Sequence, residues 1–144
     1  MTDASPLRRR HSTFGPWEEA FGYSRAVRAG DRIVVSGCTS VVDEAVQHAG
    51  DAGAQMAVAL DTALGSVTAL GGSIGDVIRT RIYVVNRADC DNVGLVHGER
   101  FADVRPAATM ILVAGLIDEE MLVEVEVEAQ VGTTKPFELD DRRS

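Results

Sequence analysis

The sequence predicts an α+β domain, a mixed β-sheet with two helices packed on one of its faces. Three observations carry this prediction. Short β-branched runs place an apolar residue at every second position. Two longer segments repeat their apolar residues every three or four positions. The two patterns interleave in the order β-β-α-β-α-β-β, which mixes a hairpin with helical crossovers.

The first two strands are Tyr23–Arg28 and Arg32–Ser36, joined as a hairpin through Ala29-Gly30-Asp31. From Asp51 to Leu70, the positions of Met56, Leu60, Ala63, Leu64, Val67 and Leu70 trace one helical stripe, and Gly71-Gly72 supplies the stop. Val77–Val85 returns to period two: Ile78, Thr80, Ile82 and Val84 share one face, Arg79, Arg81 and Tyr83 the other. Asp89 or Asp91 then caps a second helix carrying Val93, Val96, His97, Arg100 and Phe101. Pro106 ends that segment and Ala107–Ala114 reads as a strand. The last strand, Leu122–Val131, alternates strictly, with Val123, Val125, Val127, Ala129 and Val131 set against Glu124, Glu126, Glu128 and Gln130.

Composition narrows the function classes. The chain has 144 residues with 14 Lys+Arg against 22 Asp+Glu, and 14 − 22 leaves a net charge of −8. One domain over residues 14–131 is expected, with flexible segments at 1–13 and 132–144. The acidic balance argues against a nucleic-acid partner and against an anionic membrane surface. No apolar run approaches the ~20 residues of a membrane span. Cys38 and Cys90 form no CxxC pair, and His11, His48 and His97 lie far apart. No metal site, no cofactor and a reducing, cytoplasmic setting are therefore the expectations. A sheet face without helices, half apolar and half charged, commonly finds cover in another subunit, so an oligomer is expected as well.

The residues also carry a family likeness. Gly22-Tyr23-Ser24-Arg25-Ala26-Val27, Val35-Ser36-Gly37, Arg79-Thr80-Arg81-Ile82-Tyr83-Val84, Arg105-Pro106-Ala107 and Val125-Glu126-Val127-Glu128-Ala129 follow one another in an order that resembles the RidA/YjgF family. The resemblance spans about Phe14 to Val131. It implies a chorismate-mutase-like fold and a homotrimer with small-molecule clefts between subunits. It also implies hydrolysis of enamine or imine intermediates such as 2-aminoacrylate. By that resemblance Glu126 is the catalytic acidic residue, and Tyr23, Ser36, Gly37, Cys38, Ala108 and Met110 occupy substrate-binding positions. Deaminase members read Pro-Ala-Arg where this chain reads Pro106-Ala107-Ala108, so the arginine that clamps a substrate carboxylate is replaced by alanine. Cys38 stands where many members have Gln, and Gly94 where an Asn helps bind substrate. The resemblance is thus to an arginine-less branch. It implies either hydrolysis of an imine- or enamine-type substrate without the usual carboxylate anchor, or a non-catalytic binding or sensing protein on the same trimeric scaffold. A cleft that keeps Glu126 and lacks the arginine favours a neutral or cationic ligand. Ribonuclease activity, sometimes attached to the family name, fits poorly with the net charge of −8.

Each residue also has a plainer reading. Glu126 is one of an exposed Glu row on a half-solvated strand. Cys38 reads as a buried, inert thiol before it reads as a nucleophile. His97 reads as a helix-surface histidine at a subunit contact, with acid–base chemistry as its alternative. Arg79 and Arg81 pair across strands with Glu124, Glu126 or Glu128.

Overall fold

The alternation at the C-terminal end of the sequence sets the core. Val123, Val125, Val127 and Ala129 all lie on one face of the last strand and are fully buried, and the rest of the chain is arranged around that face. The computed structural model describes residues 7–133. Its elements are β1 (Arg8–His11), α1 (Pro16–Phe21), β2 (Ala26–Ala29), β3 (Arg32–Cys38), β4 (Val41–Val42), β5 (Ala45–Val46), α2 (Ala52–Ala69), β6 (Val77–Val84), α3 (Cys90–Phe101), β7 (Ala107–Leu112) and β8 (Val123–Gln130). Six strands form one sheet in the order β1-β2-β3-β8-β6-β7, and β4 pairs with β5 in a separate ribbon. Only β6 and β7 run parallel, joined through α3; every other pairing in the large sheet is antiparallel. The seven elements expected from the sequence are all present, and the fold is the α+β mixed sheet.

Helix α2 covers the sheet with Met56, Ala59, Leu60, Ala63 and Val67, none of them accessible. It begins at Asp51, whose side chain accepts a hydrogen bond from the Ala54 N–H at 3.0 Å. It ends at Leu70, and Gly71 follows at φ +88°, a conformation that glycine adopts without a Cβ penalty. Gly72 is needed for space: a Cβ there would stand 2.8 Å from the Val67 Cγ1 atom. α3 adds Val93 and Phe101 to the same core.

One buried polar side chain ties the loops to this core. Gln55 is inaccessible. Its Nε2 donates to the carbonyls of His48 and Glu120, and its Oε1 accepts from the Leu122 N–H at 2.9 Å. A second buried tie is Asp76, whose carboxylate accepts from Ser73, Gly132 and Thr133 N–H groups. Both satisfy loop backbone that the sheet cannot pair.

The structure departs from the sequence expectation at several places. Within the segment 1–13, residues 8–11 form edge strand β1, because their backbone pairs with β2. β1 and its partner β2 are also latched to the end of α2: Arg9 and Arg28 each donate to the Leu70 carbonyl, at 3.2 and 2.8 Å, where the helix dipole is negative. Residues 1–6 and 134–144, where the flexible ends were expected to lie, are outside the described residues. The short helix α1 and the β4–β5 ribbon are additional elements. Ile78 leaves the inner face assigned to it: the β6–β8 register shifts between Val77 and Arg79, so Val77 is buried and Ile78 is 39% exposed. His97 is not a surface residue of α3. It is half-buried against the sheet, with Nε2 2.8 Å from the Thr80 hydroxyl and its ring 4.6 Å from that of Phe101.

Candidate functional site

The sheet face that α2 and α3 leave uncovered carries the polar half of the alternation. β8 presents Glu124, Glu126 and Glu128 there, and β6 sets Tyr83, Arg81 and Arg79 opposite them in register. The Tyr83 hydroxyl donates to Glu126 Oε1 at 2.5 Å, and Arg81 Nη1 lies 3.7 Å from Glu126 Oε2 and 3.8 Å from Glu128. From the other side Arg32 on β3 reaches Glu128 at 2.6 Å. Opposite charges facing one another across strands hold the row in place. The hydrogen bond to Glu126 also pushes the Tyr83 hydroxyl above its ordinary range, helped by burial, because ionised tyrosine would lose that bond.

The end of β3 adds a second cluster. The register of β3 against β8 shifts between Val35 and Cys38, which brings Gly37 beneath the Glu124 side chain. A Cβ at position 37 would stand 2.8 Å from Glu124 Cδ and 2.9 Å from its Oε2, so a side chain there would push the Glu124 carboxyl out of its present place. The Gly37 carbonyl accepts from Arg25 Nη1 at 2.6 Å, and the Arg25 guanidinium lies 5.7 Å from the Tyr23 ring centroid. Ser36 donates from its hydroxyl to the Ser24 carbonyl at 2.7 Å. Burial and the nearby Glu126 charge raise the Glu124 carboxyl above the usual range, and the Arg25 charge opposes them.

Glu18 fixes the approach to this cluster. It is buried and collects the Thr13 and Gly15 N–H groups, the Thr13 hydroxyl and the Arg25 N–H. Burial alone raises a carboxyl, but these hydrogen bonds favour the charged form more strongly and hold Glu18 below its ordinary range.

The expected site residues fall into two groups. Tyr23, Ser36 and Gly37 are linked at the β2–β3 end through Arg25 and the Ser24 carbonyl, and Glu126 lies two residues along β8 from the Glu124 carboxyl that rests on Gly37. Cys38 follows Gly37 but turns inward: it is 2% exposed, paired in register with Val125, and burial pushes its thiol up, so its side chain belongs to the core. Ala108 and Met110 lie elsewhere. In the parallel β6–β7 pair they match Thr80 and Ile82, both buried, so they face the helix side of the sheet. Met110 packs there beneath Gly94 of α3. One chain therefore does not bring Ala108 and Met110 to Glu126. His97 shares the helix side too, and burial lowers it below its ordinary range. Arg105 sits at φ +53° in the turn between α3 and β7.

Three participants carry little sequence signal of a role: Arg25, Glu18, and Glu124 as one of a charged row. A Glu two residues before another on a strictly alternating strand is a sequence-level signal that both share a face. Nothing in sequence announced the Gly37 bulge beneath Glu124. Among the described residues no group of three His, Cys, Asp or Glu side chains is placed to hold a metal, and no helix is long and apolar enough to cross a membrane. A hollow of about 580 Å³ beside β1 and α1, lined by Arg8, Arg10, Glu19, Tyr23 and Ser24 among others, touches neither Gly37 nor Glu126.

Comparison with known proteins gives this geometry a context. The family model described as endoribonuclease L-PSP matches residues 17–131. A Streptomyces coelicolor protein, itself uncharacterized, is 44% identical over 124 residues, covering 86% of this chain and 92% of that protein. The 3-aminoacrylate deaminase RutC of Acinetobacter baylyi is 33% identical over 110 residues, 76% of this chain and 86% of that one. Among solved structures, a member of the YjgF/YER057c/UK114 family from Mycobacterium tuberculosis matches with a TM-score of 0.78 at 39% identity, covering 86% of this chain and 99% of that one. The YjgF gene product of E. coli matches with a TM-score of 0.70 at 26% identity, covering 84% and 92%. Match length, identity and superposition agree: the chain belongs to the endoribonuclease L-PSP family, with the YjgF/RidA fold.

Proposed function

We propose that this protein hydrolyses a small imine- or enamine-type substrate in clefts formed between copies of itself, with Glu126 acting on the attacking water. The observation that carries the reading is the Glu126 carboxylate, oriented by Tyr83 and Arg81 on an open sheet face. An oriented carboxylate beside a small substrate takes a proton from water as its oxygen bonds the C=N carbon. The relative named 3-aminoacrylate deaminase supports the same reaction class. The separation of Ala108 and Met110 from Glu126 favours assembly: a second copy supplies the β7 side of the cleft, and the homotrimer is the assembly proposed. Ala108 offers no donor to a substrate carboxylate, so the cleft takes neutral or cationic ligands in preference to anionic ones. A soluble cytoplasmic setting goes with that chemistry.

The test is ammonia release from imines generated in the assay by an amine oxidase acting on benzylamine, alongside 2-aminoacrylate generated by a serine dehydratase. Acceleration of the uncharged imine, abolished in Glu126→Ala, is the expected result. Restoring the anchor with Ala108→Arg is expected to shift preference toward 2-aminoacrylate. A monomer mass in solution removes the shared cleft and the proposal with it. The second reading, a binding or sensing protein, draws on the methyl group at position 108. It gains if no imine is accelerated while small neutral ligands still raise the unfolding temperature.

A further inference from the structure

Two carboxyls share the site's strand face, and their surroundings differ. Glu126 has a hydroxyl donor and a guanidinium beside it. Glu124 is half-buried, accepts no hydrogen bond among the described residues, and rests against the Gly37 backbone. Two residues along a strand put the two Cα atoms ~7 Å apart with both side chains on the same face, a spacing over which two flexible carboxyls can reach one small molecule.

We infer that Glu124 is the second acid–base group of the site. Standing over Gly37, it gives a proton to the substrate nitrogen while Glu126 takes one from water. This rests on the imine-hydrolysis reading. Water oxygen bonds the imine carbon as its proton passes to Glu126; the C=N π pair moves to nitrogen, which takes the Glu124 proton, and a carbinolamine forms. On collapse the hydroxyl proton returns to Glu124 and Glu126 gives its proton to nitrogen. The oxygen pair makes the carbonyl, the C–N bond breaks, and ammonia leaves with both carboxyls restored.

The donor is the protonated form, and the surroundings shift Glu124 toward it. The groups facing Glu124 are Glu126 on its own strand, Tyr83 on β6 and Arg25 ahead of β2, and the Cys38 thiol lies behind it on the core side of β3. Burial and Glu126 raise its carboxyl, and Arg25 alone among the causes acts the other way. Because the protonated form is the active one, the rate falls as pH rises through the Glu124 titration.

The experiment is the pH profile of ammonia release from the benzylamine-derived imine with wild type, Glu124→Gln, Arg25→Gln and Glu126→Gln. Glu124→Gln is expected to lose on the order of 10²-fold in kcat and to lose the high-pH limb. Arg25→Gln, which removes the opposing charge, is expected to move that limb to higher pH. A Glu124→Gln protein with wild-type kcat and an unchanged limb overturns the inference while leaving the hydrolytic reading intact. A wild type that accelerates no imine overturns both. Carbon-13 titration of the glutamate carboxyls in the wild-type protein gives a readout without turnover. A Glu124 carboxyl that titrates in the ordinary glutamate range, unmoved by Arg25→Gln, also overturns the inference.

Discussion

The two faces of β8 come from one strand of eight residues and do opposite work. On one face Val123, Val125, Val127 and Ala129 lose all contact with solvent; on the other Glu124, Glu126 and Glu128 remain partly exposed. The buried face is held by apolar area removed from water, which is additive and indifferent to direction. The charged face is held by paired groups whose value depends on geometry and is screened where solvent reaches it. Stability therefore concentrates on the helix side, and the polar groups of the proposed site on the open side. Substitutions on the two faces should separate into those that unfold the protein and those that leave it folded but inert.

The largest stability effect belongs to the buried face. Met56→Ala, at a fully buried position on α2, is expected to cost about 2–5 kcal/mol, measured by urea unfolding. A loss below about 1 kcal/mol would mean that the helix–sheet seam is loosely packed and the contrast between faces overstated. Next comes Glu18, the buried carboxylate that organises the approach to Arg25. Glu18→Gln keeps the shape but replaces an anion that accepts four hydrogen bonds, at an expected cost of about 1.5–3 kcal/mol. The sign of its pH dependence follows from the lowered carboxyl. Its stabilisation is fully present above the ordinary glutamate range and is lost as pH falls through the folded-state titration. The wild-type advantage over Glu18→Gln should therefore shrink in acid; an advantage that stays constant down to the acid transition would show that Glu18 holds its neighbours as a neutral group.

Much of this contrast was legible in the sequence. Strict alternation from Val123 to Val131 fixes which side chains share a face, and the three- and four-residue steps from Met56 to Val67 fix which side of α2 is buried. The pairing of Arg81 with Glu126 and Glu128 follows from opposite charges on facing strands. What stayed hidden depends on breaks in regularity. The register shift at Val77–Arg79 exposes Ile78, and the one between Val35 and Cys38 puts Gly37 under Glu124; a bulge is decided by long-range pairing and leaves no periodic trace. β1 is invisible in sequence because an edge strand of Arg8–His11 has no apolar alternation, only backbone bonds and Arg9, which joins Arg28 of β2 at the Leu70 carbonyl. The division of the candidate site between faces was hidden for a different reason. Motif order along a chain says nothing about which side of a sheet each motif presents, and only the parallel register of β7 on β6 settles it for Ala108 and Met110.

The smallest expected effect makes the sharpest test of the open face. Arg81 is 43% exposed, and its nearest approaches to Glu126 and Glu128 are 3.7 and 3.8 Å, longer than a good charged hydrogen bond. Arg81→Ala should then change stability by less than about 1 kcal/mol, and the difference should fade further in high salt. Tyr83 differs in kind, since its hydroxyl bonds Glu126 directly. Tyr83→Phe removes that bond while leaving the ring, so Glu126 loses its directional partner and keeps only the distant charge. If orientation of the carboxylate is what matters, Tyr83→Phe lowers kcat on the imine more than Arg81→Ala does, although neither unfolds the protein. The reverse order would assign Glu126 to the electrostatics of the row as a whole. In that case the open face would be a charged surface that happens to include Glu126, and the distinction between the two faces would reduce to solvation alone.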